Sequence, residues 1–171
     1  MKILVTGGTS TVGKHLKEVL SNGIYISSKD CDLTDIRQVR KLISLYTPDV
    51  VVHLAAKVGG IQDNIAKPAE YFDDNILMNT NILKVSYEYK VKRFIGILST
   101  CIYPDKINSY PMKEEVMFNG PPTPTNFSYG YAKRALAVQI EAYNKQYDTK
   151  YNYLTPCNLY SEYDNFENDK K

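Results

Sequence analysis

A tyrosine and a lysine, Tyr129 and Lys133, have the side-chain types and the spacing needed to move a proton. They fall in a stretch whose pattern predicts a helix, so a separation of four residues puts both on one helical face. A phenol is a poor acid or base at neutral pH, but a nearby ammonium favours the phenolate, so we expect Lys133 to lower the pKa of Tyr129. The pair could then give a proton to a carbonyl oxygen while a nicotinamide cofactor delivers hydride.

Two further reactive side chains, Ser99 and Cys101, come at the end of a predicted strand. A hydroxyl at the carboxyl end of a strand can hydrogen-bond a substrate oxygen, and a thiol there can become a base if a neighbouring charge favours the thiolate. The residues alone also allow a second interpretation of Cys101, a buried and inert thiol. We interpret His15 and His53 as structural, and no cysteine or histidine spacing predicts a metal site.

A glycine-rich turn, Gly7 to Gly13, joins the first predicted strand to the first predicted helix. A turn in this place aims backbone N–H groups and the helix N-terminus at a phosphate group. Ser10 stands where the middle of the usual three glycines would be. The turn therefore predicts a dinucleotide site, with an ordinary strand-to-helix turn as the alternative.

The same turn nearly matches a P-loop, with Gly8, Gly13 and Lys14 in register. His15 follows the lysine, where a P-loop needs serine or threonine to hold magnesium. Asp49 precedes the third apolar run, whereas the second acid of such a site should follow it. A nucleotide phosphotransferase is therefore the weaker alternative function.

The residues after the second predicted strand bear on the choice of cofactor. An NAD site would place an acid here to bind the ribose hydroxyls, but the sequence reads Ser27-Ser28-Lys29. Two hydroxyls and an ammonium suit a 2′-phosphate, so we expect NADP. Asp30 keeps NAD open, and Lys29 could equally be a solvated surface lysine.

Short apolar runs that alternate with longer amphipathic stretches must position these residues. The predicted strands are Lys2–Thr6, Ile24–Ser27, Val50–Leu54, Phe94–Ser99 and Tyr151–Thr155. The predicted helices are Val12–Ser21, Asp35–Tyr46, Ala69–Tyr89 and Tyr129–Tyr147. This alternation indicates an α/β fold, a doubly wound parallel sheet of the Rossmann type, for which we expect the strand order 3-2-1-4-5.

Composition sets the outer limits. The 171 residues are 43% hydrophobic and 23% charged with a net charge of +2, which is typical of one globular domain and favours neither nucleic acid nor a membrane as partner. Three cysteines cannot form a closed disulfide set, and no signal peptide or membrane span is evident, so we expect a cytoplasmic protein. We assign residues 1–160 to the domain and 161–171 to a polar tail, and we expect the proline-rich segment Cys101–Ser128 to be functional.

Together these motifs resemble the extended short-chain dehydrogenase/reductase family. Within it the match is to the branch that converts GDP-4-keto-6-deoxy-D-mannose to GDP-L-fucose. The similarity reaches Phe166 and is carried by Leu54–Gly60, Ser99–Pro104, Asn119–Pro122, Tyr129–Lys133, Asn158–Tyr160 and Asp164–Phe166.

The resemblance implies a role for individual residues. Ser99, Tyr129 and Lys133 correspond to a reductase triad, and Cys101 to the base that removes protons at C3 and C5 of the sugar. The cofactor wall it implies consists of Gly7, Thr9, Ser10, Thr11, Val12, Gly13, Lys29, Asp32, Leu33, Ala55, Ala56, Leu98, Lys133, Pro156, Cys157, Asn158 and Leu159. The reaction of the branch epimerises a GDP-linked keto-deoxyhexose twice and then reduces its C4 carbonyl with NADPH.

The chain departs from the family pattern at three points. Ser10 replaces the middle glycine, and Ser161-Glu162-Tyr163 stands where the family has Gly-Pro-His. The family's acid histidine and its substrate domain correspond to positions after Lys171, so we expect the substrate domain to be missing. Two functions stay open: an enzyme completed by a further segment or a second polypeptide, with homodimers formed through helices that correspond to Ala69–Tyr89 and Tyr129–Tyr147, or a non-catalytic NADP-binding module.

Overall fold

Five short strands form one parallel sheet in the computed structural model, which describes residues 1–107 and 110–163. The strands are β1 (Ile3–Thr6), β2 (Ile24–Ile26), β3 (Val50–His53), β4 (Arg93–Ile97) and β5 (Asn152–Leu154). The α-helices are α1 (Thr11–Val19), α2 (Ile36–Tyr46), α3 (Ile61–Ala66), α4 (Pro68–Glu88) and α5 (Phe127–Tyr147). Three 3₁₀ turns lie between β4 and α5, at Thr100–Ile102, Glu114–Phe118 and Pro124–Asn126. The motif at Asp164–Phe166 lies outside the described residues.

The strands lie in the order β2-β1-β3-β4-β5, so the parallel doubly wound sheet is confirmed and the predicted order 3-2-1-4-5 is wrong. The reason is that α2 is the single helix between β2 and β3, so the chain crosses back over β1 after one strand rather than two. Val5 of β1 therefore pairs with Tyr25 of β2 on one side and with Val52 of β3 on the other. The direction of winding reverses between β1 and β3, and open α/β sheets bind ligands at that point.

Short-range signals explain where the helices begin. Ser10 caps α1 by accepting a hydrogen bond from the backbone N–H of Gly13, and Asp35 caps α2 by accepting one from Arg37. Pro68 occupies the first turn of α4, where its missing N–H costs nothing. The four predicted helices are confirmed to within two residues at each end, and α3 was missed because its six residues carry no usable periodicity.

The hydrophobic core lies between the sheet and the three helices α2, α4 and α5. Val39 and Ile43 of α2, Leu83 of α4 and Leu136 of α5 are fully buried in it. Among the described residues, no helix is long and apolar enough to cross a membrane.

Helix α4 turns asparagines as well as apolar side chains towards the sheet. The spacing of apolar residues predicts one face with Phe72, Ile76, Leu83 and Tyr87, but Phe72 is 40% exposed while Asn75 and Asn79 are buried. The prediction is wrong for Phe72 because these amides have partners inside: Asn75 exchanges hydrogen bonds with the backbone of Lys57 at 3.0 Å in each direction. A paired amide can be buried without the cost of an unpaired one.

A buried chain of hydrogen bonds runs from β1 to α5. The N–H of Ala55 donates to Thr6 Oγ1 at 3.2 Å, and Thr6 Oγ1 lies 2.8 Å from His53 Nδ1. His53 Nε2 lies 3.0 Å from Asn79 Oδ1, and Asn79 Nδ2 donates to the carbonyl of Ala132 at 3.3 Å. Because Asn79 offers its oxygen to the ring, His53 is a neutral imidazole with its proton on Nε2.

Because His53 is buried as a neutral imidazole, the free energy of unfolding should depend on pH. Burial, and then the charge of Lys133, lowers the pKa of His53 to about 3 from its usual 6.5. Since the unfolded chain takes up the proton first, we expect the free energy of unfolding to fall as pH drops from about 6.5 towards 3, by about 2 kcal/mol at pH 5. Urea unfolding at pH 7, 6 and 5 measures the slope. His53→Gln should remove this contribution and His15→Gln should keep it, so equal slopes in the two variants would contradict the assignment.

Candidate active site

A cleft of about 1240 Å³ opens at the carboxyl ends of β1, β3 and β4, where the winding of the sheet reverses. Its walls come from the glycine turn, the loops after β2 and β3, the end of β4, the first turn of α5 and the segment after β5. A cleft of this size and place can take an extended ligand such as a dinucleotide.

The glycine turn has the geometry that a diphosphate needs. Gly7 has φ +71°, and a Cβ there would lie 2.8 Å from the backbone nitrogen of Ala55. A Cβ on Gly13 would lie 2.5 Å from the carbonyl oxygen of Gly7, so both positions need glycine. Ser10 has φ −69° and caps α1, which explains why a side chain is tolerated at the position of the middle glycine.

The loop after β2 lines the cleft with Ser27, Ser28 and Asp32. Asp30 is bound within the loop and accepts hydrogen bonds from the N–H and the hydroxyl of Ser27, both at 2.8 Å, which lower the pKa of its carboxyl. Lys29 is exposed and does not line the cleft. Of the three groups that the sequence suggested for a 2′-phosphate, the Ser28 hydroxyl is therefore the one that lines the cleft without donating to Asp30.

Ser99, Tyr129 and Lys133 converge at the end of β4. The Ser99 hydroxyl accepts from the N–H of Cys101 at 3.3 Å and lies close enough to the Tyr129 phenol to lower its pKa. Lys133 is 1% exposed, and its Nζ donates to the carbonyl of Ile97 at 2.7 Å while lying 5.8 Å from the centre of the Tyr129 ring. Ser99 and Tyr129 thus line the cleft together, and Lys133 lies behind the Tyr129 ring.

The expected lowering of the Tyr129 pKa is wrong. Burial, with a smaller contribution from negative charge on Cys101, raises the pKa of Tyr129 to about 12, and the bond from Ser99 only partly offsets this. Lys133 directs its ammonium at Ile97, and burial lowers the pKa of Lys133 to about 8. A phenol in this environment is neutral at pH 7 and suited to donating a proton rather than removing one.

Cys101 lies against the first turn of α5. Its sulfur accepts a hydrogen bond from Asn126 Nδ2 at 3.0 Å, and the side chain is half-buried rather than enclosed. A Cβ on Gly130 would lie 2.6 Å from the carbonyl oxygen of Cys101, so the helix can approach this closely only with glycine there. The thiol, the phenol and the Ser99 hydroxyl therefore share one neighbourhood.

Most of the predicted wall residues line the cleft, and three do not. Gly13 packs beneath the turn, Lys29 points outside, and Lys133 lies behind Tyr129. The predicted residues that do line it are Gly7, Thr9, Ser10, Thr11, Val12, Asp32, Leu33, Ala55, Ala56, Leu98, Pro156, Cys157, Asn158 and Leu159.

Sequence reasoning missed a polar part of the wall next to α4. Lys57 and Asp74 both line the cleft, and Lys57 Nζ donates to Asp74 at 2.7 Å and to Glu70 at 2.8 Å. Lys57 belongs to the motif Leu54–Gly60, which could have indicated it, but the pairing with α4 carries no signal in the sequence. Among the described residues, no group of three or more histidines, cysteines or acids could hold a metal ion.

A parallel sheet with a glycine turn at its switch point and a cleft above it is the architecture of a dinucleotide-binding domain. The chain belongs to the NAD dependent epimerase/dehydratase family, whose model matches residues 3–171.

Within this family, the chain is similar to several GDP-L-fucose synthases. A probable GDP-L-fucose synthase of Drosophila melanogaster is 40% identical over 172 residues, which cover 96% of this chain and 53% of that protein. A GDP-L-fucose synthase of Dictyostelium discoideum is 40% identical over 171 residues, with the same coverage of 96% and 53%. The crystal structure of a GDP-L-fucose synthetase from Naegleria fowleri bound to NADP has a TM-score of 0.85 and 39% identity, covering 96% of this chain and 56% of that one. The chain spans about half the length of the curated relatives it matches.

The contact between Gly130 and Cys101 predicts a specific effect on stability. Gly130→Ala should lower the free energy of unfolding by about 1–3 kcal/mol, because the new methyl group pushes α5 away from the Cys101 turn. Gly60→Ala is the matched control, since a Cβ there meets nothing within 4 Å, and at a helix start it should cost at most about 1 kcal/mol. Urea denaturation measures both, and equal losses would contradict the close approach.

Proposed function

We propose that this chain is the NADPH-binding part of an enzyme that epimerises GDP-4-keto-6-deoxy-D-mannose and reduces it to GDP-L-fucose. The observation that carries the proposal is that Ser99 and Tyr129 line the cleft together, with Cys101 directly behind Ser99 and close enough to Tyr129 to raise its pKa. A module that only binds a dinucleotide has no use for this set, and relatives at 40% identity are GDP-L-fucose synthases.

The cleft suits NADPH along its length. The glycine turn and the N-terminus of α1, next to Thr9 and Ser10, would hold the diphosphate. Ser28 would donate to the 2′-phosphate, since the N–H and the hydroxyl of Ser27 already donate to the carboxylate of Asp30. When bound, NADPH supplies the hydride for the carbonyl carbon.

Reduction needs a proton for the oxygen that receives negative charge. Tyr129, neutral at pH 7, donates this proton, and the neighbouring Ser99 hydroxyl then stabilises the phenolate, as its lowering effect on the pKa of Tyr129 indicates. The ammonium of Lys133 is fixed by the Ile97 carbonyl behind the ring and adds a positive charge 5.8 Å from its centre. The three residues thereby supply a proton and stabilise the charge left on its donor.

Epimerisation needs a base for the C–H bonds next to the keto group. The Cys101 sulfur takes the proton from C3 or C5, and the electron pair passes into the enolate of the C4 ketone. The two histidines do not line the cleft: His53 is buried in its network, and His15 lies beside Tyr163. To complete the epimerisation, an acid must return a proton to the opposite face of the sugar. A further segment or a second polypeptide would supply this acid and the residues that bind the GDP-sugar.

The non-catalytic NADP-binding module stays the second candidate, because the chain spans about half the length of its relatives. The phosphotransferase has less support. Lys14 Nζ lies 4.7 Å from the centre of the Tyr163 ring, and Asp49 pairs with Lys92 at 2.7 Å at the amino end of the sheet, opposite to the cleft.

Homodimer formation and a cytoplasmic location are further parts of the proposal. Helices α4 and α5 leave apolar side chains exposed, Phe72 and Leu77 on one, Tyr131 and Val138 on the other. These side chains would be covered in a dimer formed through the two helices.

Cofactor preference gives the first test. NADPH at about 100 times its dissociation constant should raise the melting temperature of the chain by about 5–10 °C, and NADH at equal concentration by much less. Ser28→Asp should abolish this preference by placing a carboxylate beside the 2′-phosphate, while Ser21→Asp, outside the cleft, should leave it unchanged. A shift with ATP and magnesium alone would refute the proposal in favour of a phosphotransferase.

Activity gives the second test. With GDP-4-keto-6-deoxymannose, Tyr129→Phe should lose at least about 100-fold in NADPH oxidation, because the proton donor is gone. Cys101→Ser should instead abolish deuterium exchange at C3 and C5 from heavy water while binding NADPH normally. Absorbance of the nicotinamide measures the reduction, and NMR of the sugar measures the proton exchange of the epimerisation. Good NADPH binding with neither activity in the wild-type chain would favour the non-catalytic module.

A further inference from the structure

Asn126 lies where the last 3₁₀ turn, Pro124–Asn126, runs into α5. It is the N-cap residue of that helix, yet its side chain makes no capping hydrogen bond. Its Nδ2 donates instead to the sulfur of Cys101 at 3.0 Å, and its Oδ1 is buried with no hydrogen-bond partner. The amide therefore spends its one side-chain hydrogen bond on the thiol, 25 residues away in the chain.

Helix stability does not explain this arrangement. An asparagine at an N-cap normally accepts from the second or third backbone N–H of its helix, which stabilises by about 1 kcal/mol. A buried carbonyl oxygen without a partner costs about 1–3 kcal/mol. Asn126 makes no capping hydrogen bond and leaves a buried oxygen unpaired. This combination is typical of a residue that serves a functional site rather than the stability of the fold.

The amide also has the right chemistry for a sulfur that changes charge. An N–H donor binds a thiolate more strongly than a neutral thiol, so it favours the charged form and fixes the direction of the sulfur lone pairs. The two cations of α5 near this turn, Lys133 and Arg134, donate to the carbonyls of Ile97 and Ile102 and do not replace this donor.

We propose that Asn126 is a positioning residue for Cys101, whose hydrogen bond fixes the orientation of the sulfur and stabilises negative charge on it. Its part in the reaction rests on the proposed function, in which Cys101 is the base. When the C–H bond of the sugar breaks, its proton forms the S–H bond and its electron pair enters the enolate. The hydrogen bond from Nδ2 then weakens, because the sulfur is no longer charged.

The reactivity of the thiol tests this without sugar or cofactor. Wild type, Asn126→Leu and Asn126→Asp are treated with iodoacetamide between pH 6 and 9, and alkylation of each cysteine is followed by peptide mass spectrometry. Exposed Cys157 is the internal reference, and buried Cys31, whose pKa is raised to about 11 by burial and nearby acids, stays largely unmodified. Asn119→Leu is the matched control, the same change at an exposed position of the same loop.

At pH 7 the alkylation of Cys101 should fall about tenfold in Asn126→Leu, as expected for one lost hydrogen bond to a charged group. It should fall further in Asn126→Asp, which keeps the size of the side chain but puts a carboxylate beside the sulfur. Tyr129 and Lys133 also face this region, but they are the same in every variant, so their titration cancels in the comparison. Cys157 should react at one rate throughout.

Unchanged Cys101 alkylation in Asn126→Asp, with a normal melting curve, would overturn the inference. Alkylation that drops equally in Asn119→Leu would do the same, since it would reflect the loop rather than the amide. Deuterium exchange at C3 and C5 is scored separately in the wild type. If the wild type shows no deuterium exchange but the Asn126 variants still change the alkylation of Cys101, the proposed function is wrong. The role of Asn126 at the sulfur is then still supported.

Discussion

A buried ammonium joins the last helix, α5, to strand β4. Lys133 is almost fully enclosed, and a cation in such a place must be hydrogen-bonded or lose its charge. Its bond to the carbonyl of Ile97 meets this need at the last residue of β4. Because β4 then passes directly into Ser99 and Cys101, the same bond sets the distance between those residues and Tyr129.

Close backbone contacts make this arrangement rigid. Gly130 lets α5 touch the turn at Cys101, and Gly7 lets the first turn touch the chain at Ala55. Both glycines are needed for approach, not for flexibility, so the two ends of the cleft are held by contacts that a single methyl group would break. The proposed proton donor and base thereby keep their places without help from a ligand.

The sequence was informative where the signal is local. Near-continuous apolar runs identified all five strands, and amphipathic stretches identified four of the helices to within two residues at each end. The strand order was not predictable in this way, because it depends on how many crossovers separate β2 from the switch point. The pKa of Tyr129 was predicted in the wrong direction, since burial exceeds the effect of a lysine whose ammonium points elsewhere. Asn126 gave no signal at all, because its partner is distant in the chain.

The hydrogen-bonded line from Thr6 through His53 and Asn79 to Ala132 has a consequence for how this fold can change. Each of these side chains is hydrogen-bonded to the next, so replacing one of them leaves its neighbours in the core without a hydrogen-bond partner. We therefore expect these three positions to be substituted together in evolution, for instance by three apolar residues, and seldom one at a time. Homologous chains compared at positions 6, 53 and 79 should carry matched sets rather than mixtures.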